Sequence, residues 1–229
     1  MKPHQIILLV VALLAILTPA RAQHSSSVVY DSVETRLAPR IAGPLRKNAW
    51  GANILLSTNG FGLGTFYHRQ HTRDFASFVD LSISEAKDDQ EVEYYNPYTG
   101  QTFVPGKINR FLMFPLIFGV EKRLFEDQIL DNFRPYIDGG VGPTMIFVFP
   151  YNDDYFTALG KGQPKYTVSG YVGVGAYFGG DDSNVMGINM RYYYIPYPNG
   201  LESYVTGIDV TRKNQFGGFY ITLHFGSAW

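Results

Sequence analysis

The sequence contains no cysteine, and this absence excludes several classes of protein. A chain without thiols has no disulfide scaffold, no thiolate metal site, no cysteine nucleophile and no lipidated cysteine. The formal net charge is only −1, which gives no reason to expect a nucleic-acid partner. We expect no cofactor and no metal site, although oxygen and imidazole ligands for a metal are still present.

Charged residues are also scarce, at 17% of the chain, whereas hydrophobic residues reach 45%. This composition excludes disorder and coiled coil. The 17 Tyr, 17 Phe and 24 Gly favour β-structure instead. After the N-terminal segment no apolar run approaches the length of a transmembrane helix, so none is predicted in the mature chain.

One long apolar run lies at the N-terminus. Lys2 and His4 precede the apolar residues 6–16, and Ala20-Arg21-Ala22 then supplies small residues that a signal peptidase accepts. This pattern predicts a cleaved secretory signal peptide over 1–22. A transmembrane anchor is the alternative, but the run ends well before the roughly 20 residues that a spanning helix needs.

Alternation with a period of two recurs in the mature chain and is typical of β-strands. In the last segment Phe219 and Ile221 lie on one face, whereas Thr222 and His224 lie on the other. Each segment is long enough for a tilted strand to cross a bilayer, which takes about 9–11 residues. The eight predicted strands are 48–57, 60–71, 74–86, 107–123, 133–148, 166–179, 184–196 and 216–227.

The connections between these strands alternate between short and long, which indicates turns at one rim and loops at the other. The sequence therefore predicts an all-β fold, an eight-stranded antiparallel up-and-down transmembrane β-barrel over 48–229. A soluble sandwich or lipocalin-like barrel is the alternative, but charged residues would then cover the outer face. The short connections are 72–73, 124–132 and 180–183, and the long ones are 87–106, 149–165 and 197–215.

Three features leave alternatives open. Both faces of 107–123 are apolar, so its register is not predicted. Pairing of 204–210 would raise the number of strands to ten, which is also an even number. Segment 23–47 is interpreted as a periplasmic leader or a partial plug of the barrel, with an extra strand as a further alternative.

Aromatic residues mark both rims of the predicted barrel, as the girdles of bacterial barrels do. The direction of every strand follows if the first strand begins at Asn48 and runs from the periplasmic rim towards the outer rim. The residues expected at the periplasmic rim are Trp50, Tyr67, Phe75 and Phe225, and those expected at the outer rim are Phe147, Phe149, Tyr166, Tyr192, Tyr193 and Tyr194.

The segment 217–225, with the sequence GGFYITLHF, resembles the last strand of the small eight-stranded outer-membrane barrels of the OmpA, OmpX and OmpW kind. The resemblance covers 48–229 and also rests on the signal peptide, the number of strands and the asymmetry of the loops. It implies the outer membrane of a Gram-negative-type bacterium, with outer-membrane lipid and lipopolysaccharide as surroundings. It also implies a barrel-insertion machinery that reads a terminal aromatic residue, here Phe225 or Trp229. Size and topology permit a PorT-like accessory barrel of a secretion system as well.

If the apolar face contacts lipid, the other face brings charged residues into the lumen. The interior of an eight-stranded barrel is just wide enough for side chains, so opposite charges are expected to pair there. The alternative makes His224 an acid/base pair with Asp138 or Glu121 in an envelope hydrolase. His68 and His71 are expected at the rim, without a metal. The predicted lumen charges are Asp80, Glu121, Arg123, Arg134, Asp138, Arg191 and His224.

Four glycines, Gly140, Gly142, Gly173 and Gly175, also fall on the lumen side of neighbouring strands. They favour bending of the barrel wall, and the alternative is a recess for residues 23–47 or for a slender apolar ligand.

The long loops carry acidic and aromatic residues that are expected to make contacts at the cell surface. Together these patterns favour a non-enzymatic barrel with a filled lumen that acts through its loops in adhesion, envelope integrity or docking of a surface protein partner. The alternative is an OmpW-like narrow conduit for small apolar molecules. The predicted loop contacts are Asp88, Asp89, Glu91, Glu93, Tyr94, Tyr95, Tyr98, Asp153 and Asp154.

Overall fold

The computed structural model describes residues 47–58, 60–87, 91–98, 100–125, 133–178, 184–206 and 208–229. The signal peptide predicted over 1–22 and the leader or plug predicted over 23–47 lie outside the described residues, apart from Lys47.

Eight antiparallel strands form one closed barrel. Each strand pairs with the next one along the wall, and the first and last strands pair with each other in the order β1-β12-β9-β8-β7-β6-β3-β2. The predicted fold class is confirmed, and the predicted strand ends are correct to within a few residues. The barrel strands are β1 (Asn48–Ser57), β2 (Gly60–Gln70), β3 (Phe75–Ala86), β6 (Asn109–Arg123), β7 (Phe133–Pro150), β8 (Gln163–Phe178), β9 (Asn184–Tyr194) and β12 (Gly218–Ala228).

The long connections carry structure of their own. The β3–β6 connection forms a small hairpin of β4 (Tyr94–Asn96) and β5 (Gln101–Phe103). The β7–β8 connection contains the short helix α1 (Tyr155–Gly160). In the described part of the chain, no helix is both long and apolar enough to cross a membrane. We call the end of the barrel with these connections the long-loop end and the opposite end the short-turn end.

The β9–β12 connection forms a second hairpin, β10 (Pro196–Thr206) with β11 (Asp209–Gln215). Within 204–210, residues Tyr204, Val205, Thr206, Asp209 and Val210 do take part in strand pairing, but in a separate two-stranded sheet and not in the barrel wall. The ten-strand alternative is wrong because the ladder closes directly between β9 and β12, where Tyr193 pairs with Gly218.

The two faces of the wall have opposite polarity. Buried polar residues point inward, whereas large apolar side chains point outward and are exposed. This distribution of polar and apolar side chains is the reverse of that in a water-soluble protein. It matches a surface that contacts lipid. The exposed apolar side chains in the barrel wall include Leu56, Phe61, Leu63, Leu81, Ile83, Phe118, Val120, Val141, Val168, Val172, Val174, Ile188, Met190 and Ile221.

The register of β6, which the sequence did not predict, follows from the structure. Phe111, Met113 and Ile117 point inward and are fully buried, whereas Phe118 and Val120 are exposed on the outside. Both faces of β6 are apolar because its inward face belongs to an apolar cluster in the barrel interior. The cluster comprises Leu55, Phe78, Ala86, Phe111, Met113, Ile117, Ile146, Tyr171, Tyr193, Ile195, Leu201, Phe216 and Tyr220.

The hairpin β10–β11 is joined both to this cluster and to the neighbouring loop. Leu201 and Phe216 pack in the apolar cluster. The Ile108 amide donates to the Ser203 carbonyl at 2.9 Å, and the Val205 amide donates to the Gly106 carbonyl at 2.8 Å. The hairpin is therefore held to the β3–β6 connection by backbone hydrogen bonds as well as by apolar packing.

Candidate functional site

The guanidinium of Arg191 is the centre of a polar network inside the barrel. Arg191 lies on β9 and is 1% exposed. Its Nη1 donates to Asp80 Oδ2 of β3 at 2.9 Å, and its Nη2 lies 3.5 Å from Asp138 Oδ2 of β7. Burying an unpaired charge is costly, so this arrangement satisfies the pairing that a closed interior requires. The structure thus brings together three charged side chains that the sequence placed in the lumen.

Neutral side chains complete this network. The Tyr171 hydroxyl donates to Asp138 Oδ2 at 2.8 Å, and Asn53 Nδ2 donates to Asp80 Oδ2 at 2.7 Å. The Arg191 guanidinium also lies over the Tyr171 ring, 4.5 Å from the ring centroid, which is a favourable cation–π geometry. The sequence analysis missed Asn53 and Tyr171 as partners, although both lie on the inward face of an alternating strand.

Among the described residues, no carboxylate pairs with His224. Its Nε2 lies 3.4 Å from Arg191 Nη2, so this ring nitrogen faces a donor, and its Nδ1 has no hydrogen-bond partner within the described residues. The acid/base pair of His224 with Asp138 or Glu121 is therefore not formed. Arg191 instead contacts His224 through Nη2 and pairs with Asp80 and Asp138.

Glu121 has a different partner, nearer the short-turn end. The Tyr177 hydroxyl donates to Glu121 Oε2 at 2.7 Å, and His68 Nδ1 lies 3.7 Å from the same oxygen. His68 is therefore a lumen residue, and its assignment to the rim is wrong. Its alternation with the inward Phe66 on β2 is the signal that would have found it. His71 lies in the turn after β2, where its Nε2 is 2.8 Å from Ser77 Oγ, so the two histidines do not converge.

The two remaining predicted arginines lie towards the short-turn end. Arg123 Nη2 donates to Gln70 Oε1 at 3.0 Å and thereby joins β6 to β2. Arg134 is half-buried at the start of β7, two residues before the inward-facing Tyr136. Among the residues that the structure describes, no group of three or more His, Asp and Glu side chains could hold a metal.

Neighbouring side chains or backbone atoms occupy the space beside the four lumen glycines. A Cβ atom on Gly173 would contact Asp138 Oδ1 and would lie 2.7 Å from Asn189 Oδ1, and one on Gly175 would lie 2.6 Å from the Tyr136 ring. The Ile117 side chain fills the space beside Gly140, and the backbone of β6 approaches Gly142 closely. Within the described residues, these positions therefore leave no room for the alternative of a recess.

A narrow gap remains in the apolar part of the interior, but it is too small to admit a water molecule. Its lining combines apolar side chains with the hydroxyls of β3. The residues around it are Leu55, Ser82, Ser84, Pro115, Tyr193, Ile195 and Tyr220.

Several of the predicted loop contacts are engaged within the protein. Glu91 Oε2 accepts a hydrogen bond from Lys107 Nζ at 2.6 Å, and both side chains are buried. Glu91 is therefore an internal anchor of its loop and not a surface contact. Glu93 pairs with Lys87 at 3.1 Å, and the hydrogen bond from Lys87 raises the pKa of that ammonium group.

The β7–β8 connection shows a similar arrangement. Asp153 Oδ2 accepts from Lys161 Nζ at 2.9 Å, and the Asp154 side chain is exposed just before α1. Asp88 and Asp89 lie outside the described residues. Tyr94, Tyr95 and Tyr98 are exposed, as predicted for surface contacts, but their role in binding stays a prediction.

Phe225 and Trp229, the two candidates for the insertion signal, are both exposed, Phe225 on the outward face of β12 and Trp229 directly after that strand. The amide of Trp229 donates to the Asn48 carbonyl at 2.9 Å, and the Asn48 amide donates back to the Trp229 carbonyl at 3.2 Å. The ladder between β12 and β1 therefore extends to Trp229.

No protein-family model matches this sequence, and a search of curated proteins finds no match. Solved structures are similar in architecture. The N-terminal β-barrel domain of Pseudomonas aeruginosa OprF is 11% identical and has a TM-score of 0.45, with 80% of this chain and 98% of that chain covered. Neisserial surface protein A is 10% identical and has a TM-score of 0.43, with 79% of this chain and 92% of that chain covered.

A further similar structure is Escherichia coli outer membrane protein W, which is 14% identical and has a TM-score of 0.40, with 80% of this chain and 98% of that chain covered. The fold itself rests on the closed ladder of strands described above. The predicted resemblance to small eight-stranded outer-membrane barrels is thus confirmed at the level of the fold.

Proposed function

We propose that this protein is a non-enzymatic integral outer-membrane β-barrel with a filled lumen, which acts through its long loops in adhesion, envelope integrity or docking of a surface partner. The observation that carries the proposal is the Arg191 network. A fully buried guanidinium with carboxylates from β3 and β7 on either side connects opposite parts of the wall across the interior. Such a crosslink supports a rigid scaffold and works against a wide aqueous channel.

The outward face supports the location. Its exposed Phe, Leu, Ile and Val side chains would be costly in water but favourable against lipid tails. The predicted signal peptide and the export that it implies belong to the same proposal. The barrel form supports a location in the outer membrane, since a closed barrel satisfies all strand hydrogen bonds within a bilayer.

Because the interior is filled and the outer face of the wall is proposed to contact lipid, the loops are the part of the described chain that is available to bind a partner. The conduit for small apolar molecules has less support, because the apolar gap in the interior does not admit even a water molecule. A catalytic role has less support because the carboxylates near His224 are held by Arg191. No specific observation favours the PorT-like role.

The test begins with purification from outer-membrane fractions in detergent. We expect migration on a gel to differ between boiled and unboiled samples, because a closed barrel resists unfolding by detergent, and we expect no discrete conductance in planar bilayers. A strain lacking the protein should show a defect in adhesion or in envelope integrity. Discrete conductance would instead support the conduit, and a water-soluble protein without heat-dependent migration would overturn the membrane location.

A further inference from the structure

The hairpin β4–β5 and its turn, residues 94–103, form a surface of unusual composition that we call the aromatic hairpin. It contains three tyrosines and one phenylalanine but no Lys, Arg, Asp or Glu. Charged residues return on both sides, with Glu93 before it and Lys107 soon after it. The aromatic hairpin is therefore a charge-free segment within a loop that is otherwise charged.

Its aromatic side chains are exposed to solvent. Tyr98 is 97% exposed at the tip, Tyr95 is 67% exposed, and Tyr94 and Phe103 are 54% and 45% exposed. Exposed aromatic side chains that cluster on a surface mark sites of interaction, because they lose apolar contact with water when a partner covers them. The hairpin also lies outside the barrel wall, in a separate sheet, so it is not part of the lipid-facing surface described above.

The hairpin is held in position before any partner binds. Asn96 Oδ1 accepts from the Tyr98 amide at 2.9 Å, and the Asn96 carbonyl accepts from the Gly100 amide at 2.9 Å, with Gly100 at a φ of +69°. At its base the Val104 amide donates to the Tyr151 hydroxyl at 3.0 Å. The buried ion pair described above also anchors the loop. A surface ordered in this way loses little conformational entropy on binding.

The arrangement of the rings narrows the class of partner. Tyr94 and Phe103 are a cross-strand pair on one face, with ring centroids 6.2 Å apart and an angle of 33° between the ring planes. They form a shallow platform two rings long, comparable in size to neighbouring sugar rings of a glycan. Tyrosine hydroxyls, Asn96 and Thr102 supply neutral donors and acceptors around it, which match the hydroxyls of a sugar.

We propose that the aromatic hairpin is a binding site for a neutral, linear glycan. This inference rests on the proposed function, in which the protein acts through its long loops. The absence of charged residues on the hairpin excludes electrostatic recognition of sulfated, phosphorylated or sialylated chains at this site. For the same reason, the hairpin carries no charge that would complement a basic or an acidic protein surface. The apolar faces of neutral sugar rings stack on the Tyr94–Phe103 platform, and Tyr98 contacts the chain from the tip of the turn.

The experiment measures binding of the purified mature protein in lipid nanodiscs to immobilised cellohexaose, chitohexaose and maltohexaose, with a heparin hexasaccharide as the charged comparison. We expect at least one neutral hexamer to bind and heparin not to bind. The double variant Tyr94→Ala/Phe103→Ala should weaken binding by about tenfold or more, which corresponds to the loss of one or two stacking contacts.

Phe156→Ala is the matched control. Phe156 is an aromatic residue on α1 in another loop and is 82% exposed, so its loss should leave the affinity for glycans unchanged. All of these side chains are exposed, and heat-dependent migration on a gel verifies that each variant still forms the barrel. Equal loss of binding in Phe156→Ala and in the double variant would overturn the assignment to the hairpin.

The outcomes also separate this proposal from the proposed function. If cells need the protein for adhesion but no neutral hexamer binds, or if a protein partner is the sole ligand, the glycan site is overturned and the function through the loops stands. Preferred binding of heparin overturns it too. If a strain without the protein shows no defect in adhesion or envelope integrity, the proposed function fails, whether or not glycans bind.

Discussion

At the scale of single residues, Arg191 determines the electrostatics of the interior. Replacing it with methionine removes the cation but leaves Asp80 and Asp138 buried without their counter-charge. We expect Arg191→Met to lower the free energy of unfolding by about 3–5 kcal/mol, the usual effect of breaking a buried ion pair. Urea unfolding in detergent micelles, followed by tryptophan fluorescence, measures the change.

Two further variants make this prediction specific. Adding Asp80→Asn and Asp138→Asn to Arg191→Met should recover much of the stability, because the interior then holds no unpaired charge at these positions. Arg212→Met is the control for a surface pair, since Arg212 and Glu202 are both largely exposed, and it should cost at most about 1 kcal/mol. Equal effects of Arg191→Met and Arg212→Met would contradict the role given to the network.

In the turn between β2 and β3, Asp74 provides a pH-dependent contact. The Thr72 hydroxyl donates to Asp74 Oδ1 at 2.6 Å, and this hydrogen bond lowers the pKa of the carboxyl. The stability that it contributes is present above the pKa of the unfolded carboxyl and is lost as the pH falls through the lower pKa of the folded state. We expect NMR titration of Thr72→Val to show the Asp74 pKa rising towards its usual value, whereas Thr72→Ser should keep it low.

The lumen residues show how far sequence can predict a site. Alternation with a period of two placed Asp80, Asp138 and Arg191 on the inward face, because the pleat of a strand dictates which face each residue takes. It could not supply their partners. Contacts across a barrel depend on how far each strand is staggered relative to the next, and the periodicity of one strand contains no information about stagger. His68 was missed for a different reason, because it was grouped with His71 near the turn and not with the inward Phe66, although the strand was predicted over 60–71.

At the scale of elements, the approach between β7, β8 and β9 depends on Gly173. The Cβ atom of alanine at this position would contact Asp138 Oδ1 and press on Asn189. We expect Gly173→Ala to lower the free energy of unfolding by about 1–3 kcal/mol, as overpacking of a filled interior does. Gly160→Ala is the control, because no atom lies within 4 Å of its added Cβ, and urea unfolding should show little change.

The last strand gives a prediction about assembly. Trp229 is the final residue of the β12–β1 ladder, since its backbone exchanges hydrogen bonds with Asn48. We expect Trp229→Ala to reduce the yield of heat-modifiable protein in outer-membrane fractions more than Phe225→Ala does, because an aromatic residue at the end of the ladder lies at the membrane interface. A larger effect of Phe225→Ala would identify Phe225 as the signal instead.

The sequence predicted the eight barrel strands because each is long and alternates clearly, and because short and long connections alternate between them. It was less successful where an element leaves the wall. The hairpin β10–β11 follows β9 after a single residue, and the sequence predicted it as the long connection 197–215 without its two strands. The rims were also predicted only in part: Phe149 and Tyr193 are buried inside, whereas Trp50, Tyr166 and Tyr194 are exposed outside.

At the scale of the whole molecule, the interior is closed in two layers. Leu201 and Phe216 bring the β10–β11 hairpin into contact with the apolar cluster, and the cluster meets the Arg191 network at Tyr171. Replacing residues 198–213 with a short Gly-Ser linker should remove the β10–β11 hairpin but leave all eight barrel strands. We expect the variant to keep heat-dependent migration and to show no conductance in planar bilayers, and discrete conductance would show that the hairpin alone closes the barrel.

The pairing of β1 with β12 sets the order of events during biogenesis. The two strands that close the barrel lie at opposite ends of its sequence. They cannot pair with each other until the whole domain has been synthesised. Until then both terminal strands present open edges that invite aggregation. Closure of the wall is therefore a single late event in folding, which follows synthesis of the last strand.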